Sequence, residues 1–330
     1  MTAPLTLPVI DGPALDPAGI AVLLSRAAGV AQADAVAWSA EVMKHRVGKR
    51  WLIRYTLNTP RAAGAQRRTV VAKLYLKAAR AARIYGLMCA LHRDVFADAG
   101  PLRIPAPLLL AADVGLILQE HIAGADLRAA LSGGDAVRPL TLAGRWLSRL
   151  HAAGPLPGLP VKSLAHELRK VDDWCEMLAP HLSPREAARL DRARDALRAG
   201  AADLAAPALA TIHRDFYYAN VLWDDESLWV VDFDQMALGD PAQDVGHFLA
   251  NLVDLGRKTP GSDDAVATAS EAFLAGYRAA SAFDLPARVS VYRATTYLKL
   301  AAKEVERRSG EDWLRSASSL VRRACTELEG

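Results

Sequence analysis

The sequence predicts an α+β fold whose two parts differ in class, and three observations carry that prediction. Between Ala35 and Ile122, short runs rich in β-branched and aromatic residues alternate with turns. Beyond Gly124 the apolar residues recur at helical spacing. One short hairpin, NVLWDDESLWVVD, interrupts that helical pattern.

Asp16 followed by Pro17 is an N-cap and N1 pair that opens a helix through about Arg26. Two strands follow, AVAWSAEVMK and WLIRYTL, joined by the basic turn HRVGKR. The loop NTPRAAGAQRR leads into TVVAKLYL, Thr69 to Leu76, which completes three antiparallel strands in order. The alanine-rich LKAARAARIYGLMCALHRDVF is a strong helix former. APLLLAAD and VGLILQEHI supply two more strands, so the first part is a five-stranded antiparallel sheet carrying one helix after its third strand. The second part is mainly helical: Leu140 to Ala153, Ser163 to Leu178, Pro184 to Ala202, and several helices from Asp240 onward. The expected organisation is an N-terminal lobe at residues 1–118, a hinge at 119–123 and a C-terminal lobe at 124–330.

With 330 residues, 52% of them hydrophobic, the chain can bury a substantial core. The 40 basic and 37 acidic residues are interspersed, for a net charge of +3, so no nucleic-acid footprint is present. No signal-peptide pattern and no bilayer-length apolar run is found, so the expected compartment is the cytoplasm, with no membrane partner. Cys89, Cys175 and Cys325 lack CxxC spacing and imply neither a disulfide framework nor a zinc site.

The chemistry concentrates in TIHRDFYYAN and the hairpin after it. If Val221 to Trp223 pairs with Leu228 to Val231, Asn220 and Asp232 meet at the open end of that hairpin. A carboxylate beside an amide carbonyl is a partial oxygen shell of the kind Mg²⁺ takes together with phosphate and water. Asp215 enters the same hairpin five residues before Asn220, within reach of a substrate hydroxyl near the metal. Alone, Asp215 or Asn220 would read as a turn residue and His213 as a packed histidine. The ordered combination HxDxxxxN, strand, turn, strand, acid favours function for the first two; His213 keeps a structural role.

The stretch His213 to Asp244, HRDFYYANVLWDDESLWVVDFDQMALGDPAQD, resembles the catalytic core of the aminoglycoside phosphotransferase and choline kinase superfamily. These are small-molecule kinases with a bilobal protein-kinase-like fold. The resemblance implies Asp215 as catalytic base, Asn220 and Asp232 as Mg²⁺ ligands, and Asp244 as the carboxylate bracing the catalytic loop. A protein kinase needs a long activation segment after its metal-binding aspartate, whereas only FDQMAL separates Asp232 from Gly239. A small molecule is the better acceptor.

Lys73 lies in a strand that is apolar on both faces, where an ammonium is costly unless it meets an anion or sits on a solvated edge. The resemblance makes it the lysine on the α and β phosphates of ATP, and gives the main chain at Gln119 and His121 the adenine edge. Two departures stand out. The helix after Lys73 has no acid before Asp94 to pair with it, and HRVGKR is not a glycine-rich phosphate loop, although Arg46, Lys49 and Arg50 bring positive charge.

The expected activity is ATP- and Mg²⁺-dependent O-phosphorylation of a small hydroxylated molecule such as a sugar, amino sugar, amino alcohol or antibiotic. The alternative is a nucleotide-binding pseudokinase with a regulatory role. A basic chain argues mildly against polycationic acceptors. Tyr217 and Tyr218 beside the base, the run Asp172, Asp173, Trp174 and Glu176, and the helix Tyr292 to Arg307 are the candidates to face the acceptor.

Overall fold

The computed structural model describes residues 17–29, 37–59, 66–133, 136–258, 263–281, 283, 286–308 and 312–329. The Asp16 cap and most of the loop NTPRAAGAQRR lie outside the described residues. The chain divides into two compact units, Met1–Ala123 and Gly124–Gly330.

The first unit contains α1 (Pro17–Ala28), β1 (Ala37–Arg46), β2 (Arg50–Thr59), β3 (Gln66–Tyr75), α2 (Ala78–Ala90), β4 (Leu102–Arg103), β5 (Pro107–Ala111) and β6 (Leu116–Glu120). Its sheet is five-stranded in the order β1-β2-β3-β6-β5, and every neighbouring pair is antiparallel. The β1–β2 strands run further than the sequence reading expects. Pairing continues to Arg46 opposite Arg50, which leaves Val47 to Lys49 as the turn, with Gly48 at φ +69° supplying the left-handed residue. Alternation along β3 sends Val70, Ala72 and Leu74 into one core with Tyr55, Leu57, Leu116, Leu118 and the α1 residues Ile20 and Leu24. The opposite face of β3 carries Val71, Lys73 and Tyr75.

In the second unit are β7 (Ala125–Asp126), α3 (Leu127–Gly133), α4 (Val137–Ala152), α5 (Leu164–Leu178), α6 (Pro184–Ala202), β8 (Ala210–Ile212), β9 (Val221–Trp223), β10 (Leu228–Val230) and β11 (Ala237–Gly239). Four helices complete it: α7 (Pro241–Arg257), α8 (Asp263–Arg278), α9 (Pro286–Arg307) and α10 (Trp313–Glu329). Ser163, Ser183 and Asp240 accept hydrogen bonds from the backbone N–H groups of His166, Glu186 and Ala242, and Pro184 and Pro241 occupy N1. Beside the expected β9–β10 hairpin, β8 pairs antiparallel with β11 and β7 with β9. These two- and three-residue strands are too short to leave a periodic signal.

Glycines let the helices approach closely. A Cβ on Gly144 of α4 would meet the Phe273 carbonyl oxygen at 2.1 Å, and one on Gly276 of α8 would meet the Thr141 oxygen at 2.0 Å. On α7, a Cβ at Gly246 would meet the Cβ of Tyr292 at 2.8 Å and the backbone nitrogen of Arg293 at 3.0 Å, so α7 and α9 touch backbone to backbone. The α5, α6, α9 and α10 side chains form a further core around Leu178, Leu197, Leu298 and Leu320. Cys89, Cys175 and Cys325 are free thiols. No helix among the described residues is long and apolar enough to cross a membrane.

Candidate active site

The loop between β8 and β9 is fixed at its start by the first turn of α7. Asp244, fully buried there, accepts the backbone N–H of His213 on one oxygen and that of Arg214 on the other, both at 2.6 Å. His151 at the end of α4 donates from Nε2 to the same carboxylate at 3.2 Å, and its Nδ1 lies 2.8 Å from the Tyr277 hydroxyl of α8. Burial pushes the Asp244 carboxyl up, but the His151 hydrogen bond and charge, the charge of His213 and its N–H outweigh that and hold it below its ordinary value. Arg214 takes a left-handed backbone, φ +65°, which is unfavourable for an arginine and is held by these bonds.

His213 is completely buried. Its Nε2 lies 3.2 Å from the Val231 carbonyl oxygen, and its ring meets Trp146, Phe216 and Phe233 edge-on. That packing ties the loop to the end of the hairpin.

Asp215 follows the left-handed residue. The Asn220 side chain donates to the Asp215 carbonyl at 2.9 Å and to its Oδ2 at 3.3 Å. Oδ1 faces the other way, 3.8 Å from Nε2 of His247 on α7. Burial first, and then the positive charges of Lys299, Lys303 and Arg214, hold His247 well below its ordinary value, so its ring is neutral.

Register in the hairpin sets the opposite corner. Val221 pairs with Val230, and the N–H of Val231 donates to the Asn220 carbonyl at 3.0 Å, so Asp232 emerges one residue beyond Asn220's partner. Asp232 is itself left-handed at φ +70° and ψ +64°. With its amide nitrogen committed to Asp215, Asn220 keeps its amide oxygen for a ligand. An amide oxygen and a carboxylate at the same end of the hairpin are hard donors of the kind a cation takes together with phosphate and water. Among the described residues no group of three or more His, Cys, Asp or Glu makes a closed metal cage.

A buried ion pair missed by the sequence reading supports the loop from the side. Arg214 bonds through Nη2 to Glu167 of α5, which Lys170 also reaches at 3.2 Å. Burial raises the Glu167 carboxyl, yet the Arg214 and Lys170 charges and hydrogen bonds outweigh it and leave it below its ordinary value. The Tyr217 ring lies 6.3 Å from that of His247, whereas Tyr218 turns to Arg128, whose guanidinium is 5.6 Å from its ring. The acidic run behaves as helix surface and core: Asp172 pairs with Arg198 at 2.6 Å, and Trp174 packs on the helical core.

In the first unit, Lys73 stands on the central strand β3, opposite Leu52 of β2 and Ile117 of β6, and is only 3% exposed. It is not an edge-strand lysine, which removes the solvated alternative. Gln119 pairs with Val71 and is buried with its side-chain oxygen unbonded; His121 follows the end of β6, and burial with the nearby Arg54 lowers its pKa. The α2 helix carries no carboxylate.

A five-stranded antiparallel sheet with a helix after its third strand, a helical second unit and a braced HRD loop entering a hairpin define the protein-kinase-like class of small-molecule phosphotransferases. The model of the phosphotransferase enzyme family, APH, matches residues 54–292, and the chain belongs to that family. Its fold is shared with a choline/ethanolamine kinase family protein from Mesorhizobium loti, at 18% identity and TM-score 0.56, with 88% of each chain covered. Amicoumacin kinase hAmiN, solved in complex with AMP-PNP, Ca²⁺ and Ami, matches at 16% identity and TM-score 0.56, covering 90% of this chain and 89% of that one. A glucosamine kinase matches at 20% identity and TM-score 0.53, covering 95% and 81%. No curated protein sequence matches significantly.

Proposed function

We propose that this phosphotransferase moves the γ-phosphoryl group of ATP to a hydroxyl of a small molecule, with Asp215 as the base. The observation that carries the reading is the division of the Asp215 carboxylate, one oxygen toward Asn220 and the other toward the neutral His247. A carboxylate so held can orient an acceptor hydroxyl and take its proton as the phosphoryl group arrives. Asp244 fixes the loop that presents it, and His213 fills the space behind. Asn220 and Asp232 would hold Mg²⁺, which when bound neutralises charge on the phosphates. Lys73 would contact the α and β phosphates, and the main chain at Gln119 and His121 the adenine edge.

A nucleotide-binding pseudokinase is the second reading, favoured by the absence of a carboxylate on α2 and of a glycine-rich turn between β1 and β2. ADP release from ATP and Mg²⁺ over a panel of sugars, amino sugars, amino alcohols and hydroxylated antibiotics decides between them. Acceptor-dependent ADP release supports the phosphotransferase; nucleotide binding with no release for any acceptor supports the pseudokinase.

A further inference from the structure

The α9 face nearest the base carries charge that the reaction as described leaves unused. Tyr292, Thr296, Lys299 and Lys303 are spaced four, three and four residues apart and therefore share one side of the helix. Two contacts fix where that side points. Gly246 seats Tyr292 against α7, and one turn on, Thr296 Oγ1 lies 3.4 Å from Nδ1 of His247, whose Nε2 is 3.8 Å from Asp215. Lys299 and Lys303 lie one and two turns further along that side, and the charge of both reaches His247.

Lys299 is half-buried and makes no ion pair or hydrogen bond with the described residues. The carboxylates whose charge reaches it are Asp215 and Glu167, and both are engaged, Asp215 by Asn220 and Glu167 by Arg214 and Lys170. Lys170 and Arg214 are thus spent on Glu167, and Lys299 is left facing Asp215 without ion-pair contact. Burial first, and Lys303 second, push the Lys299 ammonium down to about 8, the behaviour of a cation in want of a counter-ion.

We propose that Lys299 forms an anion-binding wall of the acceptor site, and that the hydroxylated molecule phosphorylated here carries a carboxylate or phosphate group. The proposal rests on the phosphotransferase reading for its chemistry and on the α9 geometry for its charge. An ammonium serving only to neutralise Asp215 would sit in ion-pair contact with it, and Lys299 does not. A cationic amino sugar would meet the Lys299 ammonium at this wall.

Matched acceptors differing in one group test it: glucose, glucuronate, glucosamine and glucose 6-phosphate, and glycerol, glycerate, aminopropanediol and glycerol phosphate. Each is measured by ADP release and by titration calorimetry on protein loaded with AMP-PNP and Mg²⁺. An anionic member should bind about 10-fold or more tighter than its neutral parent, as one charge-assisted contact implies. The carboxylate and phosphate arms tell which anion it is. Lys299→Gln should erase the preference by raising acceptor KM, and Lys299→Arg should retain it, while KM for ATP stays put and the melting curves overlay. Neutral or cationic members binding as well as anionic ones overturn the proposal, as does a preference that survives in Lys299→Gln. Anion binding without ADP release upholds the wall and counts against phosphotransfer; release with cationic acceptors preferred does the reverse.

Discussion

The Asp244 carboxylate accepts the backbone N–H of Arg214 at 2.6 Å, and Arg214 is the left-handed residue immediately before Asp215. One buried charge thereby holds the strained turn that presents the proposed base. Asp244→Asn keeps the volume but aims an amide N–H at a backbone N–H, and leaves His151 without its anion. We expect a loss of about 2–4 kcal/mol in stability by chemical denaturation, the range for a broken buried charged hydrogen bond. Phosphate transfer should fall at least as steeply, because the turn loosens.

The same carboxylate sets an acid limit. Its folded value lies below the unfolded one, so its contribution is complete above the ordinary carboxylate range near pH 4 and is lost as pH falls through the folded value. Melting temperature followed downward from pH 6 should drop most steeply below about pH 4. Asp244→Asn should flatten that drop.

Arg214 and Glu167 form a buried pair with side chains 9% and 6% exposed. Removing one partner strands the other. Glu167→Gln is expected to cost about 3–5 kcal/mol, read from the urea midpoint. The loss should exceed that of Asp172→Asn, whose pair with Arg198 is largely solvated.

Gly246→Ala tests the seating of α9. The added methyl meets Tyr292 and Arg293 at 2.8 and 3.0 Å and forces the two helices apart. A stability loss of about 1–3 kcal/mol follows from overpacking. Acceptor KM should rise with it, since His247 and Lys299 ride on those helices.

Alkaline pH tests the charge on α9. Lys299 loses its proton around 8 instead of at the ordinary 10.5, with Lys303, Lys170, Glu167, Asp215 and the neutral His247 facing it. Affinity for an anionic acceptor should therefore decline as pH rises through about 8, and affinity for a neutral one should not. Over the interval from 8 to 10.5 the unfolded chain binds the extra proton, so this group's unfavourable contribution to stability is relieved as pH rises.

Much of this was legible in the sequence, for physical reasons. Sheet strands, helices and the HRD loop with its hairpin are local patterns, and TVVAKLYL announces itself within a few residues. Strands β8 and β11 escaped because three residues carry no period. Glu167 and His151 escaped for a different reason. Each lies on an amphipathic helix where a charged residue reads as solvated surface, and only tertiary packing turns it toward residues 213 to 215. Arg214 stood inside the motif, but its left-handed backbone and buried partner are invisible until Glu167 is placed.

Asp215 carries the proposed chemistry, and one measurement reaches it most directly. Phosphate transfer to an accepted hydroxyl substrate is compared between the native protein and Asp215→Ala, with binding of AMP-PNP and Mg²⁺ measured on both. A proton acceptor in the transition state is expected to contribute about 10²–10⁴-fold, so transfer should fall by at least that much while nucleotide affinity changes little. Transfer persisting near the native rate in Asp215→Ala would contradict the assignment of the base and the function built on it.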